Sequence, residues 1–175
     1  LRGSIGDDVM VFGTEADLMH GNSGNDVFQI SVDSQMSQES SSSMENLLDR
    51  FLGGDSGSLF EQISDFHDKS GISSDASIQF KGIVDDFAFG RSAGAERDLL
   101  VFSDGNRADP GSQLFATKDL TWGGHDDLVY VMARQFDSDS GGYETDAFVS
   151  ALLIPEYGVN DIDLTDLEAS GIYAA

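Results

Sequence analysis

The chain has 175 residues, enough for one domain, with 32 Asp and Glu against 9 Lys and Arg and a net charge of −23. Phosphate and anionic lipid both call for clustered Lys and Arg, so this balance excludes a nucleic-acid binder and disfavours lipid docking. Twelve Phe and 39% hydrophobic residues supply a core, cysteine is absent, and no apolar run approaches the roughly 20 residues of a membrane span.

The first 29 residues repeat on a nine-residue period. The units are Gly3-Ser-Ile-Gly-Asp-Asp-Val-Met-Val11, Phe12-Gly-Thr-Glu-Ala-Asp-Leu-Met-His20 and Gly21-Asn-Ser-Gly-Asn-Asp-Val-Phe-Gln29. Asp8, Asp17 and Asp26 fall in register, and Met10, Met19 and Phe28 follow two positions later. Each unit reads as a polar, glycine-rich turn and then a short strand. The alternation in Val9-Met10-Val11 and Val27-Phe28-Gln29 sends the middle side chain inward and its neighbours outward.

These units resemble the Gly-Gly-x-Gly-x-Asp-x-(large apolar)-x nonapeptide of RTX proteins, which forms a calcium-bound parallel β-roll. Calcium takes six to eight oxygens at about 2.3–2.6 Å, and glycine frees the turn backbone to aim its carbonyls at an ion. Two nonapeptides make one coil in that family. The resemblance therefore implies a calcium site between the turns Gly3–Asp8 and Gly21–Asp26, with Asp8 and Asp26 as carboxylate ligands. Turn residues Gly3, Ile5, Gly21 and Ser23 would add backbone oxygens. Asp17 is the matching acid of the middle unit, where Phe12 and Glu15 stand in place of glycines. Three units make about one and a half coils, so residues 1–30 are expected to end a longer array and to be capped by the rest of the chain.

Residues 31–58 form the second region. Ser31–Ser43 is Ser-, Gln- and acid-rich without periodicity and reads as an exposed loop. Ser42-Ser-Met-Glu45 has capping-box spacing ahead of Leu47, Leu48, Phe51 and Leu52, which predicts a short amphipathic helix ending at Gly53-Gly54. The third region, 59–175, is expected to be a β-rich cap. Ile63, Asp65 and Phe66 resemble the Ile-x-Asp-Phe stretch that follows the roll in serralysin-type proteins. Strand patterns follow at Ala76–Phe80, Ile83–Phe89, Asp98–Phe102, Leu114–Thr117, Asp127–Met132 and Ala147–Ile154. Gly123-Gly124 reads as the entry to one of these strands. Asp137, Asp139 and Asp146 around Gly141-Gly142 resemble an Asp-x-Asp-x-x-Gly calcium loop, although Phe148 stands where its closing Glu is expected. They read equally as a solvated acidic hairpin tip. The acidic, then apolar tail, within about residues 150–175, is similar to the uncleaved secretion signals of type I-exported RTX proteins.

No catalytic constellation emerges. His20, His67 and His125 form neither a His-Glu-x-x-His motif nor a close zinc pair, and the Gly-Asp-Ser-Gly stretch at 54–57 lacks the surroundings of a protease nucleophile. The expected fold is mainly all-β: a short parallel β-roll continued by a β-sandwich-like cap, with one or two short helices. The resemblance implies a secreted, extracellular or cell-surface module whose partners are calcium ions, upstream domains of a parent protein and a bacterial type I secretion machinery. The rival expectation is a module that grips a ligand or partner; a hydrolase is a more distant one.

Overall fold

The structure, a computed structural model, describes residues 1–33, 44–54, 56–89, 94–103 and 114–156. The Ser34–Ser43 part of the predicted loop and the tail from residue 157 onward lie outside the described residues. Strands β1 (Val9–Val11), β2 (Asp17–Met19) and β3 (Val27–Ser31) stand where the repeat places them. Met10, Met19 and Phe28 point inward and are buried, whereas Val9 and Val11 face solvent. β1 pairs in parallel with β3, Val9 opposite Val27 and Met10 opposite Phe28. The offset of eighteen residues is two repeat units, and Arg2–His20 and Ile5–Ser23 bridges carry it into the turns.

β2 lies in a different sheet. It pairs in parallel with β4 (Ser77–Phe87), and β3 pairs in parallel with β5 (Leu99–Ser103), so the chain crosses between two sheets with each unit. One sheet has the order β1-β3-β5. The other has the order β2-β4-β8-β7-β6, completed by β6 (Leu114–Trp122), β7 (His125–Asp137) and β8 (Gly142–Pro155). β8 runs parallel to β4, but β7 is antiparallel to both β8 and β6. The larger sheet is therefore mixed, and the predicted cap strands are divided: Asp98–Phe102 joins the small sheet as β5, and the others extend the larger one. The described residues of segments 1–30 and 59–156 share both sheets. The first residues of the expected secretion signal, 150–155, are buried in β8.

Two apolar layers explain this arrangement. Met10, Phe28, Ile30, Leu100 and Phe102 from the small sheet meet Val84, Val131, Val149 and Leu153 from the large one. The opposite face of the large sheet is covered by α1 (Met44–Leu52) and α2 (Gly57–Lys69), which bury Leu48, Leu59 and Ile63 against Ile83, Tyr130, Phe148 and Leu152. β8 is thus covered on both faces, and its Phe148–Pro155 run is buried throughout. The predicted helix ends at Gly53 and Gly54, both at positive φ, with their N–H groups bonded to the Asp49 carbonyl. The Ile63-x-Asp65-Phe66 stretch lies within α2, a second helix that begins ahead of residue 59. Ala76–Phe80 and Ile83–Phe89 prove to be parts of one strand joined through a bulge at Lys81. Gly123 and Gly124, at φ +59° and +87°, make the two-residue turn between β6 and β7, and Gly141 at φ +72° helps close the β7–β8 turn.

Candidate metal centre

Asp8, Asp26 and Asp98 each stand one residue ahead of a strand, and the parallel register of β1, β3 and β5 stacks them. The Asp8 N–H donates to Asp26 Oδ1 at 2.9 Å, and the Asp26 N–H donates to Asp98 Oδ1 at 2.9 Å. Asp98 Oδ2 accepts from the Ala88 N–H at 2.8 Å. Asp8 accepts from the Ser4 N–H and hydroxyl of its own turn. A neighbouring column runs alongside: Asp7 Oδ1 accepts from the Asn25 N–H, and Asn25 Oδ1 accepts from the Arg97 N–H.

The first-position glycines make room for this ladder. A Cβ on Gly21 would overlap Asp26 Oδ2, and one on Gly3 would lie 2.6 Å from the Gly21 carbonyl oxygen and 2.9 Å from Asp8 Oδ2. Asp26 is 0% and Asp98 2% exposed. Burial pushes the Asp26 carboxyl above its ordinary value; the hydrogen bond from Asp8 opposes this, and the charges of Asp8, Asp86 and Asp7 add to it. Asp98 is driven up to about 7, chiefly by burial, against the two backbone hydrogen bonds it accepts. Asp26 Oδ2 is buried and has no hydrogen-bond partner among the described residues.

Asp86 closes the same turn from β4, accepting from the Gly21 and Asn22 N–H groups at 2.9 Å each. Its neighbour Asp85 contacts His20, Nδ1 to Oδ1 at 2.5 Å. Ligand atoms of His20, Asp85 and Asp86 lie within 4.8 Å of one another, a grouping that could hold a metal ion. Burial, together with Asp86, raises the Asp85 carboxyl, while His20 pulls it back down. A cavity of about 480 Å³ adjoins this corner, lined by Asp85, Asp86, His125, Asp126, Asp127 and Glu156 among others.

The predicted site residues therefore divide into three places. Gly3, Ile5, Asp8, Gly21, Ser23 and Asp26 come together in the stacked turns, Ile5 being 90% exposed and Gly6 N–H donating to the Ser23 carbonyl at 2.7 Å. Asp17 is in the other sheet, where its carboxylate accepts from the Gly13 N–H of its own turn at 3.1 Å. Asp137 and Asp139 sit at the exposed β7–β8 tip: Asp137 accepts from the Asp139 and Ser140 N–H groups, and hydrogen bonds from Ser140 and Asp139 hold its carboxyl below the usual value. Asp146 lies further along β8, four residues beyond the Gly142 that pairs with Asp137.

Sequence reasoning missed Asp85, Asp86 and Asp98. Asp98-Leu-Leu100 repeats the acid-x-large-apolar pattern of Asp8-Val-Met10 and Asp26-Val-Phe28, but Glu96-Arg97 hide it by replacing the glycine turn. Comparison with protein-family models, curated proteins and solved structures found no match to this chain.

Proposed function

We propose that this chain is a calcium-binding repeat module of the RTX kind, folding as extracellular calcium neutralises its stacked carboxylates. The observation that carries this reading is Asp26. A fully buried carboxylate oxygen without a hydrogen-bond partner, among three further carboxylates that raise its pKa, is a costly arrangement without a cation. Asp8 and Asp26 supply charged oxygens, and Gly3 and Gly21 leave the cradle clear. Such an all-oxygen set suits calcium; the imidazole of His20 makes the neighbouring corner a poorer place for it.

Residues 1–30 then form a short parallel β-roll that β4 and β5 continue. Before export, in low calcium, repulsion among the carboxylates would lower the stability of the fold and keep the chain competent for export; outside the cell, ion binding adds to the folding energy. The folded module would support secretion through a type I system and stabilise the upstream domains of its parent. The acidic cavity beside Asp85 and Asp86 favours a second reading, a module that grips a ligand or partner of that parent.

The test is circular dichroism and calorimetric titration of the chain with calcium after EDTA treatment. Strand content and the unfolding midpoint are expected to rise, with Asp26→Asn weakening calcium affinity at least tenfold and Asp17→Asn changing it little. Unchanged spectra and no heat of binding would overturn the calcium reading.

A further inference from the structure

β4 departs from strand alternation: Phe80 to Val84 are five buried residues in succession. Both faces of β4 are covered, Ile83 lying in the core beneath the helices and Val84 in the core between the sheets, and a bulge adds Lys81 to the buried run. Phe80 pairs with Ser150 and Gly82 with the adjacent Ala151, so Lys81 is the extra residue whose side chain is re-aimed. Gly82 takes φ +140°, and a Cβ there would overlap the Asp17 carbonyl oxygen, so glycine alone lets β4 close on β2.

This geometry buries a lysine. Lys81 is 3% exposed, and its Nζ donates to the Gly13 carbonyl at 3.4 Å. Burial pulls its ammonium below the ordinary value, and the Asp17 carboxylate pushes it back up. Asp17 in turn accepts from the Gly13 N–H, so one turn holds the acid, the carbonyl and the cation together. An ammonium this deep persists only where anionic or carbonyl oxygens replace its water. The middle turn offers both, and it is the repeat unit in which Phe12 and Glu15 have displaced the glycines.

We infer that Lys81 is the resident cation of the middle turn, its ammonium bonded to the carbonyl of Gly13, whose N–H in turn holds Asp17, where the flanking turns leave carboxylates for a divalent ion. This rests on reading the flanking turns as calcium sites, and it assigns the metal requirement to the Asp8–Asp26 side alone. The middle turn keeps its shape at any calcium concentration, and Asp17 takes no ion.

The experiment is a double-mutant cycle in EDTA, followed by calcium titration of the same proteins. Lys81→Met and Asp17→Asn are each expected to lower the unfolding midpoint by several degrees, and the double variant no further than the larger single loss. Additive losses, or an Asp17→Asn midpoint equal to wild type, would overturn the pairing; the latter decides the question alone if Lys81→Met does not fold. In the titration, Asp17→Asn is expected to bind as many calcium ions as wild type, and the loss of one ion would overturn the inference. If wild type binds no calcium, the reading of the flanking turns fails, while the cycle in EDTA still decides the Lys81–Asp17 pair.

Discussion

Asp98 gives the sharpest pH signature of the metal-free chain. Its carboxyl is raised from an ordinary 3.8 to about 7 in the folded state, so folding favours its protonated form. The contribution is fully present below pH 3.8 and is lost as pH rises through about 7. One pKa unit corresponds to about 1.4 kcal/mol, which makes the loss from pH 5 to pH 8 about 2.5 kcal/mol for this group alone. Asp98→Asn removes the titration but not the cost of a mismatched partner. Asn keeps one acceptor oxygen, so its NH₂ must face either the Asp26 or the Ala88 N–H, at a cost of about 1–3 kcal/mol. The variant should therefore be less stable than wild type at pH 5 and equal to it or more stable at pH 8. Urea denaturation in EDTA at the two pH values measures both. Parallel pH profiles for the two proteins would show that Asp98 does not titrate with folding.

Two further predictions test the ladder and its core. Gly21→Ala should displace the Asp26 carboxylate and destabilise the fold by about 2–3 kcal/mol, whereas Gly57→Ala, which opens on empty space at the start of α2, should be neutral or slightly stabilising. Equal thermal midpoints for these two variants would refute the close approach at Gly21. Phe28→Ala, at a fully buried position packed against Phe87, should cost about 3–5 kcal/mol by chemical denaturation, and a loss under 1 kcal/mol would mean that the two sheets do not meet there.

The amino-acid sequence alone determined the features that local chemistry governs. The nine-residue period placed β1, β2 and β3 and chose Met10, Met19 and Phe28 as the inward residues. A period-two pattern and a glycine turn are short-range signals, and they survive into the fold unchanged. Leu47, Leu48 and the Gly53-Gly54 stop marked α1 in the same way, and the net charge of −23 set the electrostatic problem that any fold of this chain must meet.

Tertiary structure decided which carboxylates share that problem. Asp98 reaches Asp26 across 72 residues of chain, and Asp86 reaches the Gly21 turn across 65, separations that carry no periodic signal. Pairing between β7 and β8 made the larger sheet mixed, because a hairpin turn dictates antiparallel neighbours while β8 still lies parallel to β4. The bulge at Lys81 is of the same kind: a single extra residue, fixed by the partner strand, turns a lysine inward to the middle turn. Local pattern distributes acids along the chain, but only the meeting of distant strands determines which of them lose their water.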